Sequence, residues 1–219
     1  MTEIKICGIT SKTDAVQAAE AGADALGFIF HPPSPRFIPP ETVKALIRAL
    51  PPEVVTVGVF VDRDPREIET VVAFCGLDLV QLHGRESLST IRHFKPEIVI
   101  KAVTGFSGES RERVDELSGF IRALLVDAAT ADRPGGTGLR ADWGLARDVA
   151  RRHRLILAGG LSAENLAEAL EAVSPDAVDV NSGVESAPGV KDPGKVRSAI
   201  GLIKGRGEGF GGKKIFVKP

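Results

Sequence analysis

The sequence predicts one closed (β/α)₈ barrel, an α/β protein built as a single domain. Three observations predict it. Eight short β-rich runs alternate strictly with helical patterns from one end of the chain to the other. Most of those runs are continuous Val/Ile/Leu/Phe stretches, the pattern of parallel strands buried on both faces. The chain has 219 residues, which fits the roughly 200–250 of one such barrel. An open doubly wound sheet is the competing architecture, but it has fewer strands as a rule and a topological switch point.

The strands fall at Ile4–Cys7, Ala25–Phe30, Val55–Val61, Leu79–His83, Ile98–Val103, Ala123–Asp127, Leu155–Ala158 and Ala177–Val180. Amphipathic segments follow them. Val43, Leu46, Ile47 and Leu50 form an i, i+3, i+4, i+7 stripe after the second strand. Ile68, Val71, Val72 and Cys75 do so after the third, and Val196, Ile200 and Ile203 continue the rule after the eighth. Asp64-Pro65 and Asp192-Pro193 each read as an N-cap followed by proline in the first helical turn. Gly22 and Gly76 follow the first and third helices, where a left-handed residue is usual. The barrel spans residues 1–204. The tail 205–219, GRGEGFGGKKIFVKP, is rich in Gly and Lys and is expected to be loose or only weakly docked.

Composition narrows the function. The formal net charge is −1, with 43% hydrophobic and 26% charged residues, so neither nucleic acid nor an anionic membrane is an expected partner. Cys7 and Cys75 have no CxxC spacing and make no disulfide framework. Met1-Thr2-Glu3-Ile4-Lys5 does not open a secretory signal, and no apolar run reaches the roughly 18 residues of a membrane span. The expectation is a soluble, reduced, cytoplasmic protein, monomer or homodimer.

Chemistry in such barrels sits where strands end and the following loops begin. Glycine clusters follow the last three strands: Gly135-Gly136-Thr137-Gly138, Gly159-Gly160 and Asn181-Ser182-Gly183. A phosphate dianion needs several N–H donors at close range, and glycine lets the backbone approach and turn. One Gly pair is a weak signal, but three clusters on adjacent strands point to a phosphorylated small-molecule ligand. Cys7, ending the first strand, is either a small buried hydrophobe or a thiol acting as general base. Asp127, after Ala123-Leu124-Leu125-Val126, is either a turn-forming group or a general acid whose pKa burial raises. Asp179 competes with it and reads as an internal hydrogen-bonding group. Arg36, in a Pro-rich loop, is a solvated cation or a bidentate clamp on a carboxylate. Gln81 and His83 share one face of the fourth strand, and His83 is either a satisfied polar group or a site-lining one. Cys75 stays on its helical stripe. His31, His83, His93 and His153 form no ligand cluster, so no metal is expected.

Taken together, Lys5-Ile6-Cys7-Gly8-Ile9-Thr10, Ser34-Pro35-Arg36-Phe37, Val80-Gln81-Leu82-His83-Gly84, Leu125-Val126-Asp127, Gly135-Gly136-Thr137-Gly138, Ala158-Gly159-Gly160-Leu161 and Asp179-Val180-Asn181-Ser182-Gly183-Val184-Glu185 resemble the phosphoribosylanthranilate isomerase family, from Ile4 to about Leu202. The resemblance implies an Amadori rearrangement of N-(5-phosphoribosyl)anthranilate in tryptophan biosynthesis, with no cofactor. It implies Asp127 as the acid that protonates the ring oxygen and Cys7 as the base that removes the C2′ proton. Arg36 would hold the anthranilate carboxylate, Gln81 and His83 would line the site, and the glycine loops with Ser182 would hold the phosphate. After Gly138 many members continue Lys-x-Phe-Asp-Trp. Here the chain reads Leu139-Arg140-Ala141-Asp142-Trp143, so the basic role passes to Arg140 or is absent. The related aminoaldose isomerase of histidine biosynthesis places an aspartate on the first strand, where this chain has Cys7. An indole-glycerol-phosphate synthase wants a lysine on the third strand, and Val55–Val61 has none. A non-catalytic phosphosugar-binding barrel would keep the glycine loops without needing Cys7 and Asp127.

Overall fold

The computed structural model describes residues 1–104, 114–127, 143–205 and 213–219. Eight parallel strands close in chain order: β1 (Glu3–Ile6), β2 (Ala25–Ile29), β3 (Val55–Phe60), β4 (Leu79–Leu82), β5 (Val99–Thr104), β6 (Ala123–Asp127), β7 (Leu155–Ala158) and β8 (Ala177–Val180). Pairing of β1 with β8, Lys5 opposite Asp179, seals the barrel. Around it stand α1 (Lys12–Glu20), α2 (Pro40–Ile47), α3 (Pro65–Cys75), α4 (Leu88–Arg92), α5 (Trp143–Ala150), α6 (Leu166–Val173) and α7 (Pro193–Lys204). The expected barrel is thus the observed one.

The local signals act as read. Asp64 accepts from the Arg66 amide and Asp192 from those of Gly194 and Lys195, each before a first-turn proline. Gly76 closes α3 at φ 75°, a left-handed conformation that is costly with a side chain. Alternation along the strands makes two cores. Residues such as Ile4, Ile6, Leu26, Phe28 and Leu124 point outward beneath the helices. Ala25, Val55, Val57, Leu79, Ile100, Leu125 and Ile156 fill the barrel itself.

Two features depart from the sequence reading. The chain between β8 and α7 forms a 3₁₀ turn (Ser182–Val184) and a hairpin of β9 (Glu185–Ala187) and β10 (Val190–Lys191). The turn dipeptide Pro188-Gly189 is its sequence signal. The end of the tail is not loose. Ile215 is 0% exposed and packs with Phe216 inside the barrel's N-terminal end, against the Ala25, Ala123 and Ala177 level. The small side chains on β2, β6 and β8 leave the room. The inward-facing Glu3 carboxylate accepts both the Ile215 and Phe216 amides, at 2.6 and 2.9 Å, and Arg122 donates to the Ile215 carbonyl at 2.8 Å. Two apolar side chains in that interior outweigh the chain entropy that composition alone suggested would win. Deleting residues 213–219 is expected to lower unfolding stability by about 2–4 kcal/mol. Denaturant melts check it, with turnover unaffected because the plug lies at the end of the barrel away from the rim.

Candidate active site

On β1 the outward residues are Ile4 and Ile6, while Glu3, Lys5 and Cys7 face the interior from bottom to top. Cys7 continues the ladder through its amide, which donates to the Val180 carbonyl at 2.9 Å. The chain then turns at Gly8, φ 70°. A Cβ there would lie 2.7 Å from Asn181 Oδ1 and 2.8 Å from Arg36 Cδ. Glycine therefore lets Asn181 and Arg36 lie across the turn that follows Cys7.

Below the thiol, Lys5 is wholly buried. Its ammonium donates to Cys7 Sγ at 3.2 Å, to Gln81 Oε1 at 2.7 Å and to Asp179 Oδ2 at 2.7 Å. An ammonium has only donors, so the Gln81 atom facing it is the oxygen. The amide nitrogen of Gln81 then faces His83 Nδ1 at 2.9 Å. Nδ1 is the acceptor, which leaves the ring proton on Nε2. That nitrogen stands 4.0 Å from Asp127 Oδ2 at the end of β6. A polar chain thus runs across the barrel from Cys7 and Asp179 through Lys5, Gln81 and His83 toward Asp127.

Burial sets the titration of these groups. It is the largest influence on Cys7 and, with Asp179, pushes the thiol up, while Lys5 and Lys191 pull it down. Burial would lower Lys5, but Asp179 and Cys7 outweigh it and hold the ammonium above its ordinary value. His83 is lowered by burial, against the pull of Asp127. Its folded pKa lies below the ordinary 6.5, so the unfolded chain takes up the proton first as pH falls. Stability is fully present above pH 6.5 and declines below it. His83→Asn is expected to flatten that decline, read as denaturation midpoint against pH.

Arg36 has a protein carboxylate of its own. Nε and Nη2 make a bidentate pair with Glu185 on β9, at 2.8 and 2.7 Å. The hydrogen bond to Glu185 is the main reason the guanidinium is raised. Lys191 on β10 reaches Glu185 Oε1 at 2.9 Å, Asn181 Oδ1 at 3.0 Å and the Asn181 carbonyl at 3.2 Å. Burial would raise Glu185, but Arg36 and Lys191 outweigh it and keep it low. Three of the five guanidinium N–H groups of Arg36 are left over from the pair.

The loops after β7 and β8 meet at the same rim. Gly159 and Gly160 take φ 92° and 63°, and Asn165 closes their loop by accepting from the Ser162 amide and donating to the Gly160 carbonyl. A Cβ on Gly183 would overlap the Leu161 carbonyl, so glycine lets the two loops pack. Among the described residues no acceptor is found for the amides of Gly160, Ser182 or Gly183. Such a cluster of N–H groups at a short helix after strand 8 is where barrels hold phosphate. The expected Gly136, Thr137 and Gly138, with Arg140, lie outside the described residues.

The structure brings Cys7, Arg36, His83, Asp127, Gly159, Gly160, Asn181, Ser182 and Gly183 to one rim. It moves Gln81 out of ligand contact: at 1% exposure, both ends of its amide are engaged by Lys5 and His83. Asp179 is the internal group it was read to be. Lys5, Glu185 and Lys191 escaped the sequence reading. Lys5 and Glu185 sit inside the quoted motifs, but only the fold shows that they face inward. Lys191 lies on the hairpin that was not foreseen.

Known proteins resemble this chain over most of its length. The sequence profile described as N-(5′-phosphoribosyl)anthranilate (PRA) isomerase matches residues 4–201. The N-(5′-phosphoribosyl)anthranilate isomerase of Syntrophus aciditrophicus is 50% identical over 204 residues, 93% of this chain and 88% of that one. The crystal structure of phosphoribosyl anthranilate isomerase from Thermotoga maritima superposes with a TM-score of 0.86 at 42% identity, covering 94% of this chain and all of that one. A crystal structure of such an isomerase in complex with reduced 1-(o-carboxyphenylamino)-1-deoxyribulose 5-phosphate gives a TM-score of 0.82 at 41% identity, over 94% and 100% of the two chains.

Proposed function

The chain belongs to the N-(5′-phosphoribosyl)anthranilate isomerase family and is an isomerase of tryptophan biosynthesis; from that premise, we propose how its rim residues divide the reaction. Asp127 donates a proton to the furanose ring oxygen as the bond from that oxygen to C1′ breaks, leaving an open-chain protonated imine. Cys7, as thiolate, removes the C2′ proton, and the electron pair of that bond moves into the imine. The resulting enolamine tautomerises to the ketone. The protonated imine is itself the electron sink, so the chemistry needs no cofactor.

Arg36 holds the anthranilate carboxylate with the donors left free by Glu185, which orients it together with Lys191. The amides of Gly160, Ser182 and Gly183 take the phosphate, completed by Gly159 and by Gly136, Thr137 and Gly138. Asn181 sits between the two ends of the ligand. His83 lines the acid side. Gln81 acts through Lys5 and His83. The enzyme works in the cytoplasm on a small phosphorylated substrate.

One observation carries this reading. Cys7 at the end of β1 and Asp127 at the end of β6 reach the same rim of the barrel, which also bears the Arg36–Glu185 pair and the glycine turns after β7. The test is to add the protein to freshly generated phosphoribosylanthranilate and follow its loss against the uncatalysed rate. Conversion to the deoxyribulose 5-phosphate product well above background is expected. A rate equal to background would reject the reading.

A further inference from the structure

We propose that Lys5 is a positioning residue for the reaction: its ammonium, donating to the Cys7 sulfur, favours the thiolate form that accepts the C2′ proton, and Asp179 keeps that ammonium charged. The inference rests on the reading of Cys7 as base.

The geometry is specific. Lys5 has three N–H donors and three acceptors, and one of the acceptors is Cys7 Sγ at 3.2 Å. Lys5 and Cys7 are two apart on one strand, so both side chains face inward. Gly27 on β2 makes the space for them. A Cβ there would lie 2.7 Å from Cys7 Sγ and 2.8 Å from Lys5 Cε. Among the described residues the buried Asp179 Oδ1 has no hydrogen-bond partner, and Lys5 is the cation paired with that carboxylate.

Stability does not explain the arrangement. A buried ion pair contributes little net, and an apolar pair of similar volume does as well or better. What an apolar pair would lose is a positive charge touching the sulfur. That charge matters because the site otherwise opposes the thiolate: burial and Asp179 both push the thiol up. The charged groups facing Cys7 are Lys5 on β1, Asp179 on β8, Lys191 on β10 and Arg36 after β2, the last two tied to Glu185 on β9. Lys191 and Arg36 share the Glu185 carboxylate, and among the described residues only Lys5 donates directly to the sulfur. During the reaction the C2′–H bond breaks, its proton goes to sulfur, and its electron pair enters the imine. Lys5 keeps all its protons.

The test uses a Cys75→Ala background, in which Cys7 is the sole cysteine. Cys7 ionisation is read from thiolate absorbance and from alkylation rate against pH, and kcat/KM is measured over the same range. Lys5→Met is expected to move the ionisation up by about 1–3 pH units. The acid limb of kcat/KM should move with it, a loss of about 10–10³-fold at pH below the new limb. Asp179→Asn should move the ionisation down. Lys5→Met combined with Asp179→Asn leaves no bare buried charge, folds even where the single lysine variant does not, and still titrates above the parent. Unchanged ionisation in the lysine variants, its return to the parent value in the double variant, or the two single variants moving it the same way would overturn the proposal. A shifted thiol with an unshifted rate profile would leave Lys5 acting on the sulfur and reject Cys7 as the base.

Discussion

Asp127→Asn is expected to lower kcat by about 10²–10⁴-fold, the usual contribution of a positioned general acid, with KM changed little. The side chain is 27% exposed at the mouth of the barrel, so an isosteric amide fits without buried strain. What the amide lacks is a transferable proton. The ring oxygen leaves C1′ as an alkoxide unless it is protonated as it departs. Among the described residues, His83 Nε2 stands 4.0 Å from the carboxylate, and burial lowers its pKa, so it offers no ready proton in place of Asp127. Steady-state kcat and KM across pH measure the effect. Near-normal kcat with raised KM would instead assign Asp127 to binding.

Cys7→Ala carries a loss of similar size, about 10²–10⁴-fold in kcat, for a different step. The substitution removes one buried sulfur and should cost about 1 kcal/mol or less in stability, so folding and turnover separate cleanly. It leaves Asp127, Arg36 and the amide loops in place. Substrate should therefore bind and open its ring, then stall as the imine with its C2′ proton in place. Lys5 does not replace the thiolate, because Asp179, 2.7 Å away, holds it as a cation against the opposing effect of burial. Circular dichroism against steady-state rate checks both halves of the expectation.

Much of the fold was legible because parallel strands buried on both faces announce themselves as unbroken apolar runs, and three of the eight matched to the residue. Of the others, β2, β3 and β4 end one residue early and β1 and β5 are shifted by one, where the ladder frays into the loops. The 185–191 hairpin was missed because its strands are too short to show a period; only Pro188-Gly189 marks it. The tail was misjudged because composition counts glycines and lysines, whereas Ile215 and Phe216 find a cavity floored by alanines from β2, β6 and β8. In the site, Cys7, Arg36 and Asp127 could be picked out because strand ends are where barrel chemistry sits. Lys5 could not, since a lysine inside an apolar strand reads as a solvated charge until pairing places Asp179 beside it. Glu185 is similar: its partner Arg36 is 149 positions away in the chain.

The division of labour between Asp127 and Cys7 is tested most directly by trapping the imine. Each variant is mixed in excess with phosphoribosylanthranilate and quenched with borohydride, beside a protein-free control, and the reduced open-chain adduct is measured. The account predicts abundant adduct with Cys7→Ala and no more than the control with Asp127→Asn. Equal trapping in both variants, or more with Asp127→Asn, would contradict it.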